Sequence, residues 1–199
     1  LRVVLKRIPR DAELGYAGSV AAQRANLLLF ERDASSLLQE LRGARVGVFE
    51  GTYMFTPTAL YAAWAHQLHG DRAAARVAFE SARVLADSVI KDLPDDWRVH
   101  AARGLALAGL GHRDEALREA RWLQQSEVYR EDAMAGPLVA EDRARILAQA
   151  GDADAALDEI ERLLAGPSPV TVHTLRLDPR WDPIRQHPRF KALLAKYGS

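Results

Sequence analysis

Three short stretches decide the fold of this chain: Gly70-Asp71, Gly111-His112-Arg113-Asp114 and Gly151-Asp152. Each follows an apolar run whose residues recur every three or four positions, and each precedes a second such run, which is the spacing of amphipathic helices. Glycine can end a helix because it adopts the left-handed conformation without steric penalty, and a polar residue after it can cap the next helix. The three stretches therefore predict three pairs of helices, each pair joined by a tight turn.

Residues at fixed distances from these glycines repeat in character, which predicts that the helix pairs are copies of one unit. A small residue lies seven positions before each glycine, and small or apolar residues lie five, nine and twelve positions after it, on one helix face. These residues are Ala63, Gly104 and Ala144 before the glycine, and Ala75, Phe79, Ala82, Ala116, Ala120, Leu123, Ala156, Ile160 and Leu163 after it. An earlier pair fits the same columns when Arg32 takes the place of the glycine.

The pattern predicts four helix pairs and almost no strand. The predicted helices, in chain order, cover about 11–31 and 34–42, 57–69 and 72–91, 95–110 and 113–125, and 137–150 and 153–165. Pro57 lies at the start of a predicted helix, where proline is tolerated. The segment 43–56 is predicted to be a loop. The run Gly166-Pro167-Ser168-Pro169 ends the helical pattern.

The columns and the turn resemble the tetratricopeptide repeat, a pair of antiparallel helices with small residues at their crossing. The glycines lie 41 and 40 residues apart, counted from 70 to 111 and from 111 to 151, against roughly 34 in that family's unit. The resemblance implies an all-α, right-handed α-solenoid of about four helix pairs. It implies one repeat domain over residues 1–199, with repeats at about 11–43, 57–92, 95–125 and 137–165.

The tail resembles the closing segment of a large group of bacterial repeat proteins. It reads Leu175-Arg176-Leu177-Asp178-Pro179-Arg180-Trp181-Asp182-Pro183-Ile184-Arg185, followed by His187-Pro188-Arg189-Phe190. We expect a C-terminal cap at 170–197, because the last repeat of a solenoid has no neighbour to cover it. In this cap Asp178 and Asp182 would cap short helical turns. The apolar residues that would cover the fourth helix pair are Trp181, Ile184, Phe190 and Leu193.

The resembling proteins often join such repeats to a serine/threonine kinase, a winged-helix regulator or a nucleotide cyclase. The chain begins at Leu1 and not at methionine. We therefore expect it to be part of a larger bacterial signalling or regulatory protein.

Composition disfavours several functions. The 27 lysines and arginines balance the 27 acidic residues, so no global charge attracts nucleic acid or an anionic membrane. The absence of cysteine excludes disulfides and thiolate metal sites. No apolar run approaches the roughly 18 residues of a membrane span. We expect a cytoplasmic protein without nucleic-acid or membrane partners, and interpret the basic residues after Val170 as the solvent side of the cap.

Catalytic and metal-binding motifs are also missing from the sequence. No nucleophile elbow, phosphate-binding glycine loop or His-Glu-x-x-His motif occurs. His66 and His69 could lie on one helix face, but no third ligand is evident nearby. The carboxylate pairs Glu141-Asp142 and Asp158-Glu159 are interpreted as solvated faces. We expect no catalytic residue, metal or cofactor, and a small-ligand or enzymatic role is a remote alternative.

The resemblance implies that the first helix of each pair lines a concave binding surface. The residues it places there are Gln23, Asn26, Tyr61, Trp64, Gln67, Arg98, Glu141 and Arg145. Tyr61 and Trp64 could instead belong to the core. The carboxylate clamp of chaperone-binding members is not reproduced, since Ala22, Tyr61 and Ala102 occupy three of its five positions.

The expected function is non-catalytic protein–protein interaction or scaffolding. The partner would be a protein, a peptide or another domain of the same chain, and a homodimer is possible. The alternative is an intramolecular sensor or oligomerisation domain that controls an attached kinase, cyclase or DNA-binding domain.

Overall fold

The computed structural model describes residues 7–9, 12, 20–44 and 46–198. Most of these residues are helical, as the sequence predicts. The chain divides into two compact units, Leu1–Pro94 and Asp95–Ser199. The predicted beginning of the first helix at Asp11 lies outside the described residues. The single repeat domain over 1–199 stays a prediction.

The described part of the first unit consists of two helix pairs separated by a β-hairpin. Helix α1 packs on α2, α2 on α3, and α3 on α4. The elements are α1 (Val20–Phe30), α2 (Ala34–Ala44), β1 (Val48–Gly51), β2 (Met54–Pro57), α3 (Thr58–Leu68) and α4 (Arg72–Val89).

The β-hairpin replaces the loop predicted for residues 43–56, so that prediction is wrong. Its two strands are antiparallel, and Val48 pairs with Pro57 while Gly51 pairs with Met54. Only two residues connect the strands, which is the shortest common hairpin connection. A two-stranded hairpin by itself is marginally stable in water, so this one needs a surface to pack against.

Helix α3 supplies that surface. Phe49 and Phe55 are buried, and the ring of Phe49 meets the ring of Tyr61 edge-on at 5.6 Å between centroids. At the base of the hairpin the backbone N–H of Thr58 donates to the carbonyl of Gly47 at 3.0 Å. Apolar burial and this bond therefore hold the hairpin on the beginning of α3.

The second unit also contains two helix pairs, followed by three short helical segments. Helix α5 packs on α6 and α8 on α9, while α8 also packs on α5 and α6. The elements are α5 (Trp97–Leu110), α6 (Arg113–Gln125), α7 (Glu127–Glu131), α8 (Gly136–Gln149), α9 (Ala153–Leu164), α10 (Val172–Leu177), a 3₁₀ segment (Pro179–Ile184) and α11 (Pro188–Lys196).

The four helix pairs in the described residues use the same left-handed turn. Gly70, Gly111 and Gly151 have φ angles of 77°, 80° and 82°, and Arg32 has a φ of 56°. In each turn the next residue donates its N–H to a carbonyl five positions earlier, which is the Schellman arrangement. The placement of Arg32 in the glycine column is therefore confirmed, although a side chain makes this conformation costlier.

The residues of the repeated columns form the core of the pairs. Every residue predicted five, nine or twelve positions after a glycine is buried, with at most 3% of its surface exposed. Gly104 shows why a small residue precedes the turn. A Cβ atom on it would lie 2.5 Å from Cδ1 of Ile146 and 3.0 Å from Cβ of Glu119.

The tail forms a covering segment on the second unit. Trp181, Ile184, Phe190 and Leu193 are all buried, as expected, where the 3₁₀ segment packs on α8 and α11 packs on α9. Asp178 caps the 3₁₀ segment by accepting the N–H of Arg180 at 2.9 Å. Asp182 does not begin a separate turn, because it lies inside that segment.

Candidate functional site

Two predicted binding residues of the first unit lie in its core. Tyr61 is 2% exposed and Trp64 is 3% exposed. Their rings meet edge-on at 5.4 Å, and Tyr61 also contacts the β-hairpin through Phe49. The expectation that they are exposed anchors is wrong, because both side chains are buried and the unpredicted hairpin packs Phe49 on Tyr61. The alternative, that both belong to the core, is confirmed.

The other three predicted residues of this unit keep access to solvent. Gln67 on α3 is exposed, and Gln23 and Asn26 on α1 are half-buried. These amide side chains can donate and accept hydrogen bonds with a peptide backbone. Their part in binding a partner stays a prediction.

Arg98 is the predicted residue at the beginning of α5 in the second unit. Its side chain is half-buried and bonds the carboxylate of Asp96, with Nη2 2.6 Å from Oδ2. Burial alone would raise the pKa of Asp96, but the hydrogen bonds and charge of Arg98 outweigh it and lower that pKa. Arg98 therefore helps to cap α5, whatever else it contacts.

Glu141 and Arg145 on α8 are not on an open surface. Each is 9% exposed, and they form an ion pair one helical turn apart. Arg145 also reaches Asp178 of the tail, with Nη2 3.3 Å from Oδ2, and its guanidinium lies 5.6 Å from the ring centroid of Trp181. The expectation of an exposed binding position is wrong for both residues, because the tail covers this face of α8.

The charges of this cluster influence one another strongly. Burial raises the pKa of Glu141 in spite of Arg145 nearby. Burial would also raise the pKa of Asp178, but the guanidiniums of Arg180 and Arg145 outweigh it and lower that pKa. Arg145 keeps its proton, since the surrounding carboxylates raise its pKa further. The cluster thus attaches the tail to α8 by buried, charge-assisted hydrogen bonds.

A second set of buried charges was missed in the sequence. Three helix pairs hold an arginine eight positions before the left-handed residue and a glutamate eight positions after it. The pairs are Arg24 with Glu40, Arg103 with Glu119, and Arg143 with Glu159. The three glutamates are 8%, 7% and 4% exposed. The α3–α4 pair has Ala62 and Ala78 at these positions.

The glutamates of the second unit have further partners. The carboxylate of Glu119 lies 2.7 Å from Nδ1 of His100, and the His100 ring stacks on Trp122 at 3.6 Å. Glu159 accepts the hydroxyl of Tyr129 at 3.0 Å, and burial together with the Glu159 charge raises the pKa of Tyr129.

The interpretation of both carboxylate pairs as solvated faces is therefore wrong for Glu141 and Glu159. Asp158, the neighbour of Glu159, is exposed and pairs with Arg189. A single glutamate on a charged helix carries no sign of burial. The signal that identifies Glu159 is the recurrence of arginine and glutamate at the same offsets in other helix pairs.

These buried charged clusters are suited to holding neighbouring helices together. The Glu159 carboxylate accepts hydrogen bonds from Tyr129, Arg143 and Arg162, which leaves little capacity to accept a substrate proton. His69 contacts the hydroxyl of Ser35 at 3.2 Å between Nε2 and Oγ. Among the described residues, no group of three histidine or acidic side chains could hold a metal ion.

No helix in the described part of the chain is long and apolar enough to cross a membrane. Comparisons with protein-family models, with curated proteins and with solved structures found no match.

Proposed function

We propose that this chain is a tetratricopeptide-like helical-repeat module that binds a protein or peptide partner and performs no catalysis. The observation that carries this proposal is the recurrence of one helix pair: a left-handed turn flanked by buried small residues at constant offsets. Repeated helix pairs stack into extended surfaces whose usual use is recognition of other chains.

The rigidity of the helix pairs supports a binding role. In three pairs an Arg–Glu ion pair crosses from the first helix to the second. A buried carboxylate with several donors restricts how its neighbours can move. A preorganised surface loses less conformational entropy when a partner binds.

The proposed contact residues are the solvent-accessible ones on first helices. In the first unit they are Gln23, Asn26 and Gln67, and in the second unit Arg98. Tyr61, Trp64, Glu141 and Arg145 are no longer proposed as contacts, since they are buried. Amide side chains without buried aromatic anchors suit a polar, extended peptide segment bound with moderate affinity.

The test uses a displayed library of random peptides selected on the whole chain. We expect enriched peptides whose binding is lost in the triple variant Gln23→Ala, Asn26→Ala, Gln67→Ala. Gln39→Ala is the matched control, because Gln39 is an exposed glutamine on α2, the second helix of its pair. Equal binding of the selected peptides to the wild type and the triple variant would refute these contacts. Selection of no peptide would count against the function itself.

A further inference from the structure

Helix α4 carries an exposed apolar face directed away from its own core. Its buried residues are Ala75, Phe79, Ala82 and Ala86. On the opposite side Val77 is 68% exposed and Val84 is 54% exposed. Seven residues separate the two valines, which is two turns or about 10.5 Å along the axis. Ala73, Ser81 and Ser88 are also exposed, so small side chains flank this stripe.

A row of alternating charges runs beside the stripe. It consists of Arg76, Glu80, Arg83 and Asp87, at helical spacings of four, three and four residues. Arg83 lies in the middle of the row and pairs with both acids, with Nη2 2.6 Å from Oε1 of Glu80. Within the described residues, Arg76 has no ion-pair partner. The row therefore ends in an exposed cation that the described residues leave to solvent.

This order of charges is complementary to itself when reversed. If a second α4 runs antiparallel, Arg76 faces Asp87 of the second copy and Glu80 faces Arg83. In the same register Val77 faces Val84 of the second copy. The midpoints of these pairs fall between residues 80 and 82, so one two-fold axis near Ser81 serves them all. A parallel arrangement would place Arg76 against Arg76.

We propose that α4 is a homodimerisation surface on which a second copy of this chain binds antiparallel, with its two-fold axis at Ser81. Isologous contacts of this kind require one patch that matches itself, and both the valines and the charges of α4 do so. The surface lies on a second helix and uses none of the proposed peptide-contact residues. A failure of the dimer proposal would therefore leave the proposed peptide binding unaffected, and a failure of peptide binding would leave the dimer proposal unaffected.

The affinity should be modest. A single helix face forms an interface below the roughly 1,200–2,000 Å² of stable complexes. Sedimentation velocity of the whole chain should therefore cover about 5 to 500 μM, a range that detects dissociation constants in the micromolar region. We expect a reversible monomer–dimer equilibrium whose dissociation constant rises at high salt, because the charge pairs are solvent-exposed.

Two glutamates on the stripe should break the dimer. The variant Val77→Glu with Val84→Glu places like charges opposite one another, and we expect a dissociation constant raised at least about tenfold. Met134→Glu is the matched control, since Met134 of the second unit is equally exposed at 68%. Far-ultraviolet circular dichroism establishes that all variants are folded. A dimer that tolerates the two glutamates, or a wild type that stays monomeric throughout, overturns the proposal.

Charge reversal tests the antiparallel register. Arg76→Glu alone places two acids together, and Asp87→Arg alone places two arginines together, so each variant should dimerise weakly. When the two variants are mixed, Glu at 76 meets Arg at 87 and Arg at 76 meets Asp at 87. We expect the mixture to form heterodimers with the affinity of the wild type. If mixing restores nothing, the charges do not meet between chains as proposed.

Disulfide trapping tests the position of the axis, and the chain has no cysteine of its own. Ser81→Cys should form a covalent dimer under mild oxidation, because the two copies of residue 81 lie across the axis. Ser88→Cys should not, since its two copies would lie about 20 Å apart along the helices, beyond the Cα separation of roughly 7 Å that a disulfide allows. Equal trapping of both variants would overturn the antiparallel arrangement.

Discussion

The α3–α4 and α8–α9 pairs make the same turn but differ where their helices cross. Both turn at a left-handed glycine, with φ angles of 77° at Gly70 and 82° at Gly151, and both bury an alanine seven positions before it. Eight positions either side of the turn, one pair has Ala62 and Ala78, and the other has an arginine and a glutamate. The turn and the small residues therefore suffice for a helix pair, and the buried charges are an addition.

The buried arginine and glutamate connect the α8–α9 helix pair to its surroundings. Glu159 accepts the Tyr129 hydroxyl from α7 as well as Arg143 from α8 and Arg162 from its own helix. Such a carboxylate holds three helices in one arrangement, because an unmet donor or acceptor in the core is costly. The α3–α4 pair has no such carboxylate and instead packs its first helix against the aromatic residues of the β-hairpin.

The largest expected effect comes from breaking the Arg143–Glu159 pair. Glu159→Ala leaves the largely buried Arg143 guanidinium without its carboxylate, which should destabilise the protein by about 3–5 kcal/mol. The double variant Arg143→Ala with Glu159→Ala copies the composition of the α3–α4 pair and should lose less than the sum of the single variants. Urea unfolding followed by circular dichroism measures these differences.

The control for this prediction is Glu161→Ala on the same helix. Glu161 pairs with Lys196 and Arg189 at the surface, so its removal should change stability much less than removal of Glu159. Strictly additive effects of Arg143→Ala and Glu159→Ala would mean that the two side chains do not act as a pair.

An intermediate effect is expected at the turns that all pairs share. Gly111→Ala should destabilise the protein by about 1–2 kcal/mol, because alanine is strained at a φ of 80°. No atom lies within 4 Å of the added Cβ, so a steric clash does not contribute. Arg32→Gly should stabilise by up to about 1 kcal/mol, since glycine takes the same left-handed position without strain. Thermal unfolding compares them with Gly166→Ala, where a Cβ also meets open space and φ is not left-handed. A loss at Gly166 equal to that at Gly111 would show that backbone conformation is not the cause.

The smallest effect is expected from giving the α3–α4 pair the missing charges. Ala62 and Ala78 are half-buried, so an ion pair between Ala62→Arg and Ala78→Glu should add at most about 1 kcal/mol to stability. Each single variant should be nearly neutral. A thermal midpoint of the double variant below those of both single variants would mean that the second pair cannot accommodate the crossing found in the others.

The repeated residue pattern around the turn glycines predicted those features that depend only on residues close together in the chain. The helices around Gly111 and Gly151 end within a residue or two of their predicted boundaries, because glycine position and apolar spacing act within one helix pair. The β-hairpin was missed because its stability depends on packing against α3. The predicted contacts Tyr61 and Trp64 failed with it, since the hairpin packs on Tyr61. Glu141 and Arg145 failed because the tail that packs on Arg145 lies more than 30 residues further along the chain.

By itself, then, the sequence determined the helical class, the four left-handed turns and the buried columns beside them, since these follow from φ preferences and helical periodicity. Only the tertiary structure decided which charges are buried and which first-helix residues meet solvent. Burial of a glutamate such as Glu159 depends on donors from other helices, and residues on one helix do not specify what packs above them. The spacing of Val77 and Val84 on α4 can be read from the sequence. Only the tertiary structure shows that both valines are exposed.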